Sequence, residues 1–335
     1  MATIKDLSKL TGLSLGTISN YLNGRPILPE NTKKIEKAIK DLNYFPNNLG
    51  KHLRSGDTKT IGIIANDIAA TYISKSVAVI EKELSKKKYK ILFCNSQNDA
   101  ALEHNNLDFM ISQAVSAIII FPVSYFKTDI SNIFKTKFPL IMCDSEPFSK
   151  GMCHTVNYSN EKLAFEATEL FIKEGHTRIA CISGRSDHYS SISRISGYRA
   201  AMEKHKLEVY PEDIFYCNFD NSQSYDAAYK ILKRRPDITA CLITSNNMLV
   251  GFLHALIDNS KEVGKNMSYI TFSSEPYYDI LPVKPTYIMH DEQSIGQCAL
   301  EILENILLNK SDSDSAPIKR IADSQIVIGD SHRRF

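Results

Sequence analysis

Apolar and polar positions follow two different patterns along this chain. Within the first 25 residues, apolar side chains recur three or four residues apart over two short segments. This spacing gives two crossed helices a shared buried face, and Gly12 lies where the turn between them tends to require a positive φ. The apolar positions are Ile4, Leu7, Leu13, Ile18, Tyr21 and Leu22. The pattern predicts a helix-turn-helix.

Polar residues at the ends of these segments favour the same structure. Thr3 precedes Asp6 by three residues, which is the spacing of an N-terminal capping pair. Ser14 is placed to cap the second helix. A third, basic helix is predicted over residues 31–43, and Pro46 stops it.

From residue 60 onward, short continuous apolar runs alternate with amphipathic helical segments. Continuous apolar strands separated by helices are typical of parallel sheets that are covered on both faces. Four runs precede residue 160 and four follow it, so we expect an α/β body of two similar lobes, each a doubly wound parallel sheet. The predicted strands are 61–65, 90–94, 117–121, 139–143, 178–182, 214–217, 240–244 and 268–272.

Polar residues follow most of the predicted strands. Parallel α/β units bind ligands at the carboxyl ends of their strands, so two such lobes facing each other would form a cleft for a small polar molecule. Polar loops also occur at these positions in any α/β protein, and the pattern alone therefore only favours a cleft. The residues are Asp67, Asn95, Ser96, Ser124, Asp144, Asn218, Ser245, Asn246, Ser273 and Ser274.

The charge of the chain is unevenly distributed. Its formal net charge is +2, but residues 1–56 carry nine Lys and Arg against four Asp and Glu, which leaves 31 positive and 34 negative residues for the remainder. A basic N-terminal segment on a mildly acidic body predicts that any contact with a polyanion is made by that segment. We interpret the run Lys86–Lys88 as solvated surface.

Length and composition restrict the class of protein. A chain of 335 residues exceeds one typical core, and 43% hydrophobic with 23% charged residues fits a soluble globular protein of two or three domains. No apolar run approaches the roughly 20 residues of a transmembrane helix, and the N-terminus lacks a hydrophobic signal core. Seven cysteines without a C-x-x-C pair predict buried free thiols, as in strand-like runs at Cys94, Cys143, Cys181 and Cys241, and a reducing cytoplasm.

Motifs of catalysis and cofactor binding are not found in the sequence. No G-x-G-x-x-G follows a predicted strand, and the histidines show neither metal-ligand spacing nor a Ser–His–Asp order. We therefore expect no catalytic site, no metal and no cofactor. His176, directly after Gly175 at a predicted helix end, is expected to cap the last helical turn.

Short motifs in both parts of the chain point to a known family. The matching segments are Thr3-Ile4-Lys5-Asp6, Gly16-Thr17-Ile18-Ser19, Leu22-Asn23-Gly24, Leu42-Asn43-Tyr44, Glu174–Ile179, Arg194–Tyr198, Ser245–Met248 and Thr286–Ile288. In these segments, and in their order, the chain resembles the lactose-repressor (LacI/GalR) family of bacterial transcription regulators. The resemblance implies a helix-turn-helix headpiece on a two-lobed body like that of periplasmic binding proteins, and a homodimer that grips a near-palindromic operator.

The resemblance also assigns residues to DNA. The base-reading positions fall on Leu15, which could touch a thymine methyl, on Gly16, which has no side chain, and on Asn20. Relatives commonly carry Arg at the last position, and Asn pairs with adenine where Arg prefers guanine, so we expect a half-site with little guanine specificity. Asn20 could equally contact phosphate or solvent. The other headpiece residues assigned to DNA are Thr3, Ser14, Thr17, Ser19, Asn23, Tyr44 and Asn47.

Residues 47–55 correspond to the family's hinge helix, which is expected to pair with its dimer mate on DNA. The wedge that opens the minor groove falls on Leu53, with Arg54 beside it; Leu53 could alternatively pack within its own helix. Gly50 stands where relatives commonly have Ala and costs a helix about 1 kcal/mol relative to alanine. We expect the order of this segment to depend on DNA.

Seven residues match positions that commonly line the family's effector pocket. They are Tyr72, Asp144, Arg194, Phe219, Asn246, Ser273 and His290. Arg194 is expected to form charge-assisted hydrogen bonds to the ligand, the alternative being a surface salt bridge. Asp144 could equally cap a loop, and Phe219 could be plain core.

The pocket departs from the family pattern at four positions. Ser159, Asn247 and Ser273 stand where relatives usually carry Asp, and His290 replaces a common Gln. Fewer carboxylates mean fewer acceptors for sugar hydroxyls and less repulsion of an anion. A sugar phosphate or a similar small metabolite is thereby favoured over a free hexose, although serine hydroxyls also accept.

The resulting expectation is a ligand-responsive repressor of a carbohydrate or related metabolite operon. The alternative is a cytoplasmic small-solute-binding protein without regulatory DNA function, against which the helix-turn-helix argues. The predicted domains are residues 1–46, a linker at 47–59 and a body at 60–335. Within the body we expect one lobe from 60–159 and 291–320 and another from 160–290 and 321–335. The residues after 328 leave no room for a coiled-coil tetramerisation arm, which favours a dimer.

Overall fold

A computed structural model describes residues 2–44, 58–131, 133, 138–148, 153–259, 267–272, 276–309 and 316–334. The chain divides into two compact units, residues 1–58 and residues 59–335.

The first unit is a bundle of three short helices, α1 (Ile4–Thr11), α2 (Leu15–Leu22) and α3 (Pro29–Asp41). The predicted caps are present. Thr3 and Asp6 form a reciprocal capping box on α1, the hydroxyl of Ser14 accepts from the backbone N–H of Thr17, and Gly12 ends α1 at φ 67°. The third helix begins two residues before the predicted start, because Pro29 occupies its first turn.

A small core holds these helices together. Leu7, Ile18, Ile35 and Ala38 are buried at its centre, one or two from each helix. Partly buried residues surround them, including the predicted Ile4, Leu13, Tyr21 and Leu22. The apolar spacing of the sequence therefore predicted the packed face of the headpiece.

One lobe of the second unit, here called the N-lobe, contains a six-stranded sheet in the order β11-β5-β4-β3-β1-β2. All of its strand pairs are parallel. Its described helices are α4, α5 and α10. The elements are β1 (Thr60–Ala65), α4 (Thr71–Lys86), β2 (Lys90–Asn95), α5 (Ala100–Ser112), β3 (Ala117–Phe121), β4 (Leu140–Cys143), β5 (His154–Asn157), α10 (Glu292–Asn309) and β11 (Lys319–Ile321).

The other lobe, the C-lobe, repeats this plan with the order β12-β10-β9-β8-β6-β7. Only the pair β10–β12 is antiparallel among the described strands of this sheet. The elements are α6 (Asn160–Lys173), β6 (Ile179–Ser183), α7 (Tyr189–Lys204), β7 (Ile214–Tyr216), α8 (Asn221–Arg234), β8 (Ala240–Ile243), α9 (Asn246–Asp258), β9 (Ser268–Phe272), β10 (Thr286–His290) and β12 (Ser324–Val327), with short 3-10 turns at Pro211–Asp213 and Pro276–Ile280.

The fold class is confirmed, but the strand prediction was incomplete. Each lobe has six described strands where four were predicted, because β5, β10, β11 and β12 were missed. These strands are short and carry polar or charged residues such as His154, Lys319 and Gln325, so they lack the continuous apolar run that marked the others.

Two glycines allow helices of the C-lobe to pack with their backbones in contact. A Cβ atom on Gly197 of α7 would lie 2.0 Å from the carbonyl oxygen of Glu161 at the start of α6. A Cβ atom on Gly251 of α9 would lie 2.0 Å from the carbonyl oxygen of Asn221 at the start of α8. The close packing of both helix pairs therefore depends on the absence of a side chain at Gly197 and at Gly251.

Two predictions about single residues are made more specific by the structure. His176 caps the last turn of α6 through its backbone N–H, which donates to the carbonyl of Phe171 at 3.0 Å after Gly175 at φ 86°, whereas its imidazole Nδ1 lies 2.8 Å from the hydroxyl of Thr239. Cys143, Cys181 and Cys241 are buried free thiols as predicted, whereas Cys94 is only half-buried because it lies on the edge strand β2.

Two findings hold for the residues that the structure describes. None of their helices has the length and apolar character needed to cross a membrane. They also contain no cluster of three or more His, Cys, Asp or Glu side chains suited to a metal ion.

Candidate functional site

The first candidate site is the exposed surface of α2 in the headpiece. Ile18 turns inward to the core, while Leu15 and Gly16 at the N-terminal end of the helix are exposed. Asn20 lies one helical turn after Gly16 and is partly exposed. The free N–H groups and partial positive charge at this end of the helix suit contact with a nucleic acid.

The other residues assigned to DNA have identifiable partners in the headpiece. Thr3, Ser14 and Thr17 use their hydroxyls in the two helix caps, since Ser14 Oγ lies 2.9 Å from Thr17 Oγ1. Asn23 donates from its amide to the carbonyl of Ser19 at 2.7 Å. Tyr44 packs partly against the headpiece core. Asn47, Leu53 and Arg54 lie outside the described residues.

The second candidate site is a cleft of about 190 Å³ between the N-lobe and the C-lobe. Its walls come from the carboxyl ends of strands and from the starts of helices in both lobes, where the polar strand ends predicted it. The lining residues are Asn66, Asp67, Ala70, Thr71, Tyr72, Asn98, Asp144, Tyr158, His188, Ser190, Arg194, Asn218, Phe219, Ser245, Asn246, Asn247, Phe272, His290 and Glu292.

Arg194 is the central cation of this cleft. Its Nε donates to the amide oxygen of Asn160 at 2.9 Å, and its two terminal nitrogens donate to the carbonyl of Thr244 at 2.5 Å and to Nε2 of His290 at 3.0 Å. The guanidinium also lies 4.1 Å from the ring centroid of Phe272. These acceptors are neutral, and they use three of five N–H groups. Two of its N–H groups therefore have no acceptor among the residues that the structure describes.

Asp144 lies on the opposite side of the same hydrogen-bond network. It is buried, and its Oδ1 accepts from the amide nitrogen of Asn160 at 3.4 Å, so Asn160 connects it to Arg194. Burial raises the pKa of Asp144 to about 6, while the charge of Arg194 and the Asn160 hydrogen bond oppose that rise. With this pKa the carboxyl is mainly an ionised acceptor at pH 7, and it becomes a hydrogen-bond donor as the pH falls through about 6.

Aromatic side chains provide the apolar part of the cleft. A Cβ atom on Gly184 would come within 2.1 Å of the ring of Phe219. The glycine after β6 therefore leaves room for this ring. Tyr72 of the N-lobe packs edge-on against Phe121 at a centroid distance of 6.2 Å. Flat apolar faces beside amide groups suit a small ring that carries polar substituents.

His188 connects the two walls of the cleft. Its Nε2 lies 3.3 Å from the amide nitrogen of Asn66 in the N-lobe, and its Nδ1 lies 2.9 Å from the hydroxyl of Ser190. Because an amide nitrogen only donates, Nε2 is the acceptor and the imidazole is neutral. Burial, together with the charges of Arg194 and Arg185, lowers the pKa of His188 to about 4.

This histidine predicts a pH dependence of stability. The unfolded chain gains a proton near pH 6.5, whereas the folded chain resists it until about pH 4, so the free energy of unfolding should fall as the pH drops through this interval. The contribution lost between pH 7 and pH 5 is about 2 kcal/mol.

Urea unfolding of the wild type and of His188→Gln at both pH values measures this contribution. Glutamine keeps an acceptor for Asn66 but cannot take up a proton, so the variant should lose about 2 kcal/mol less than the wild type over the same interval. Equal losses in the two proteins would show that His188 is not neutral in the folded state.

All of the effector residues expected from the sequence that the structure describes line the cleft, and Ser273 lies outside the described residues. Arg194 is buried rather than paired at the surface, which excludes the alternative of a surface salt bridge. The Nε2 of His290 accepts a hydrogen bond from Arg194, and its ring stacks on the ring of Tyr158 at a centroid distance of 4.0 Å. His290 therefore orients the arginine.

Sequence reasoning missed several residues that line the cleft. Asn66 directly follows the predicted strand 61–65, and its place after a strand end was an available signal. Phe272 ends the predicted strand 268–272 and had the same signal, whereas Tyr158 and His188 had none, because their role depends on contacts between segments that are distant in the sequence.

Comparison with known protein families gives two matches that together cover most of the chain. Residues 3–47 match the model of bacterial regulatory proteins of the lacI family. Residues 58–304 match the model described as periplasmic binding proteins and the sugar-binding domain of the LacI family.

Similar proteins span nearly the full length. The chain is 27% identical over 319 residues to the HTH-type transcriptional repressor PurR of Glaesserella parasuis, which covers 95% of this chain and 94% of that protein. It is 28% identical over 306 residues to the ribose operon repressor of Escherichia coli, covering 90% and 92%.

Solved structures show the same fold. The Lac repressor dimer bound to operator and the anti-inducer ONPF aligns with a TM-score of 0.83 at 18% identity, over 99% of both chains. The complex of the transcriptional regulator CelR with cellobiose aligns with a TM-score of 0.73 at 19% identity, over 99% of this chain and 100% of that one. These likenesses show the fold, and the two family matches, one of which covers more than half of the chain, establish that it belongs to the LacI family of bacterial regulatory proteins.

Proposed function

We propose that this LacI-family regulator represses a carbohydrate or related metabolite operon, and that it recognises its operator through α2. The observation that carries the proposal is the presence, in one chain, of a helix-turn-helix with an exposed second helix and of a polar cleft between two lobes. The first feature suits a DNA groove, and the second suits a small ligand.

Control by the ligand follows from where the cleft lies. A molecule bound between the lobes contacts both of them, so it favours one relative arrangement of the lobes over others. We propose that this arrangement sets the affinity of a homodimer for a palindromic operator, which makes the ligand an effector in the sense of coupled binding. Asn47, Leu53 and Arg54 remain sequence-based proposals for the connection to DNA.

The lining of the cleft supports a sugar, a sugar phosphate or a similar small metabolite. Five asparagines, three serines and threonines and several aromatic faces line it, which is a donor and acceptor set for a polyhydroxylated or heterocyclic ring. Relatives are named as repressors of a ribose operon and as PurR, and we propose the same range of ligand size here.

The alternative of a small-solute-binding protein without regulatory function explains the cleft but not the headpiece. Residues 3–47 match the model of bacterial regulatory proteins of the lacI family, and the described residues among them, 3–44, form a three-helix unit with side-chain caps on its first two helices. The relatives are transcriptional repressors, and we propose that this chain is likewise not an enzyme and acts in the cytoplasm, where operator DNA is found.

Selection of operators from a random library tests the DNA-binding proposal. The purified full chain should enrich a palindrome, and its half-site should carry adenine, without a required guanine, at the position that Asn20 faces. The variant Asn20→Arg should shift that position to guanine, because arginine bonds guanine O6 and N7, and the discrimination should be about 1–3 kcal/mol.

Two results would contradict parts of this proposal. A wild-type selection that returns an invariant guanine opposite Asn20 would remove its assigned role in base reading. Failure to enrich any palindrome, from protein whose body unfolds cooperatively, would contradict operator binding itself. Leu10→Ala on α1, an exposed apolar residue without an assigned DNA role, serves as the matched headpiece control.

A further inference from the structure

A second set of contacts joins the two lobes outside the effector cleft. After β3 of the N-lobe, Ser124 Oγ and the backbone N–H of Tyr125 both donate to the carbonyl of Asp187 in the C-lobe, at 3.3 Å and 2.8 Å. The ring of Tyr125 packs against Tyr189 of the C-lobe at a centroid distance of 5.5 Å. Lys127 lies 4.0 Å from the carboxylate of Asp187, but it is exposed and contributes little.

The N-lobe side of this bridge is held by a buried carboxylate. Glu103 on α5 is only 1% exposed, and its two oxygens accept from the backbone N–H of Val123 at 2.7 Å and from the hydroxyl of Thr128 at 2.6 Å. Thr128 in turn accepts from the backbone N–H of Ser124 at 3.3 Å. A buried carboxylate is unfavourable unless hydrogen-bonded, so these bonds fix the segment Val123–Thr128 to α5.

The C-lobe side of the bridge is continuous with the cleft. Arg185 holds the carboxylate of Asp187 through two hydrogen bonds of 2.9 Å and 3.0 Å. Its remaining terminal nitrogen donates to the carbonyl of Asn98, which lines the cleft from the N-lobe. His188, which lines the cleft from the C-lobe, directly follows Asp187. The bridge therefore ends at cleft residues of both lobes.

We propose that the segment Val123–Thr128 is an interlobe clamp, and that Glu103 is a positioning residue that holds this clamp in the arrangement of the lobes that forms the cleft. Without Glu103 the segment loses its two hydrogen bonds to α5, and the two hydrogen bonds to the carbonyl of Asp187 lose their fixed geometry. The clamp itself rests on the interlobe contacts alone; only its consequence for effector affinity rests on the proposed function.

Hydrogen–deuterium exchange of the full chain without ligand tests the clamp. In Glu103→Ala, amides of 123–128 and also of 185–190 in the C-lobe should exchange at least tenfold faster, while those of β1 and β6 keep the wild-type rates. The response of the C-lobe segment is the decisive one, because a purely local role of Glu103 would not reach it. Asp108→Ala, an exposed change on the same helix, is the control and should leave both segments unaltered.

Two further variants keep the test decisive. Glu103→Gln should restore protection, because its amide oxygen accepts from Val123 and its amide nitrogen donates to the hydroxyl of Thr128. Ser124→Ala removes one donor of the bridge without altering α5, and it should accelerate exchange at 185–190. Unchanged exchange at 185–190 in a folded Glu103→Ala protein would overturn the proposal. If that variant instead loosens β1 and β6 as well, unchanged exchange in Ser124→Ala overturns it.

Discussion

Gly197→Ala is expected to lower the free energy of unfolding of the body by about 3 kcal/mol or more, which is the upper end of the cost of overpacking. The added Cβ would lie 2.0 Å from the carbonyl oxygen of Glu161 and 2.9 Å from the backbone nitrogen of Phe165. Both contacts are with backbone, so no side-chain rotation relieves them, and α6 and α7 must separate. The higher helix propensity of alanine offsets only about 1 kcal/mol of this destabilisation. Urea unfolding of the full chain measures the difference.

Two other glycines are natural controls for this prediction. Gly251→Ala should be equally destabilising, because its Cβ would also lie 2.0 Å from a backbone oxygen. Gly296→Ala on α10 should cost far less, since its closest contacts are 3.1–3.2 Å. If all three variants were equally stable, the close helix packing at Gly197 would not exist in solution.

Arg194→Ala is expected to abolish the response to the effector. The arginine has two N–H groups available in the cleft, and charge-assisted hydrogen bonds of about 1.5 kcal/mol each imply an affinity loss of roughly 100-fold. A ligand at 100 times its dissociation constant stabilises the wild type by about 2.7 kcal/mol, and at the same concentration this stabilisation should fall to about 0.4 kcal/mol in the variant. A thermal-shift screen against ribose, ribose 5-phosphate, hexoses, hexose phosphates, nucleobases and nucleosides measures it.

Stability must be separated from binding in this experiment. Removing Arg194 also leaves the acceptors on Asn160, Thr244 and His290 without their donor. Each acceptor that water does not reach lowers the free energy of unfolding by about 1–3 kcal/mol. His290→Gln keeps an acceptor for the arginine and should change affinity by less than about tenfold. A ligand that stabilises Arg194→Ala as strongly as the wild type would place the effector elsewhere. The affinity of Arg194→Ala for operator DNA, measured without ligand, provides the second control.

The sequence predicted those parts of the fold that local patterns determine. The headpiece followed from the spacing of Leu7 and Ile18 and from the capping residues Thr3 and Ser14, since helix caps act within three residues. The apolar strands were visible as continuous runs such as Ile61–Ala65. The strand at Lys319–Ile321 was not, because its place is set by pairing with β5 rather than by its own composition.

The site was predictable only in part. Strand ends and family motifs pointed to Asp144, Arg194 and Asn246 in the cleft, and the structure brings these side chains together. They could not show that His290 accepts a hydrogen bond from Arg194, or that His188 accepts one from Asn66. Those hydrogen bonds join residues 96 and 122 positions apart in the sequence. Glu103 looks like any acidic residue in the first turn of a helix, and only tertiary packing makes it a buried anchor.

The order of strands in the two sheets has a consequence for synthesis on the ribosome. The outer strand β11 of the N-lobe and the outer strand β12 of the C-lobe are separated only by Ala322 and Asp323. The N-lobe sheet can be completed only after residue 321 has left the exit tunnel, and the C-lobe sheet only after residue 327 has, whereas the headpiece is already available as a contiguous unit. A nascent chain therefore carries a folded helix-turn-helix long before it has a finished ligand-binding body.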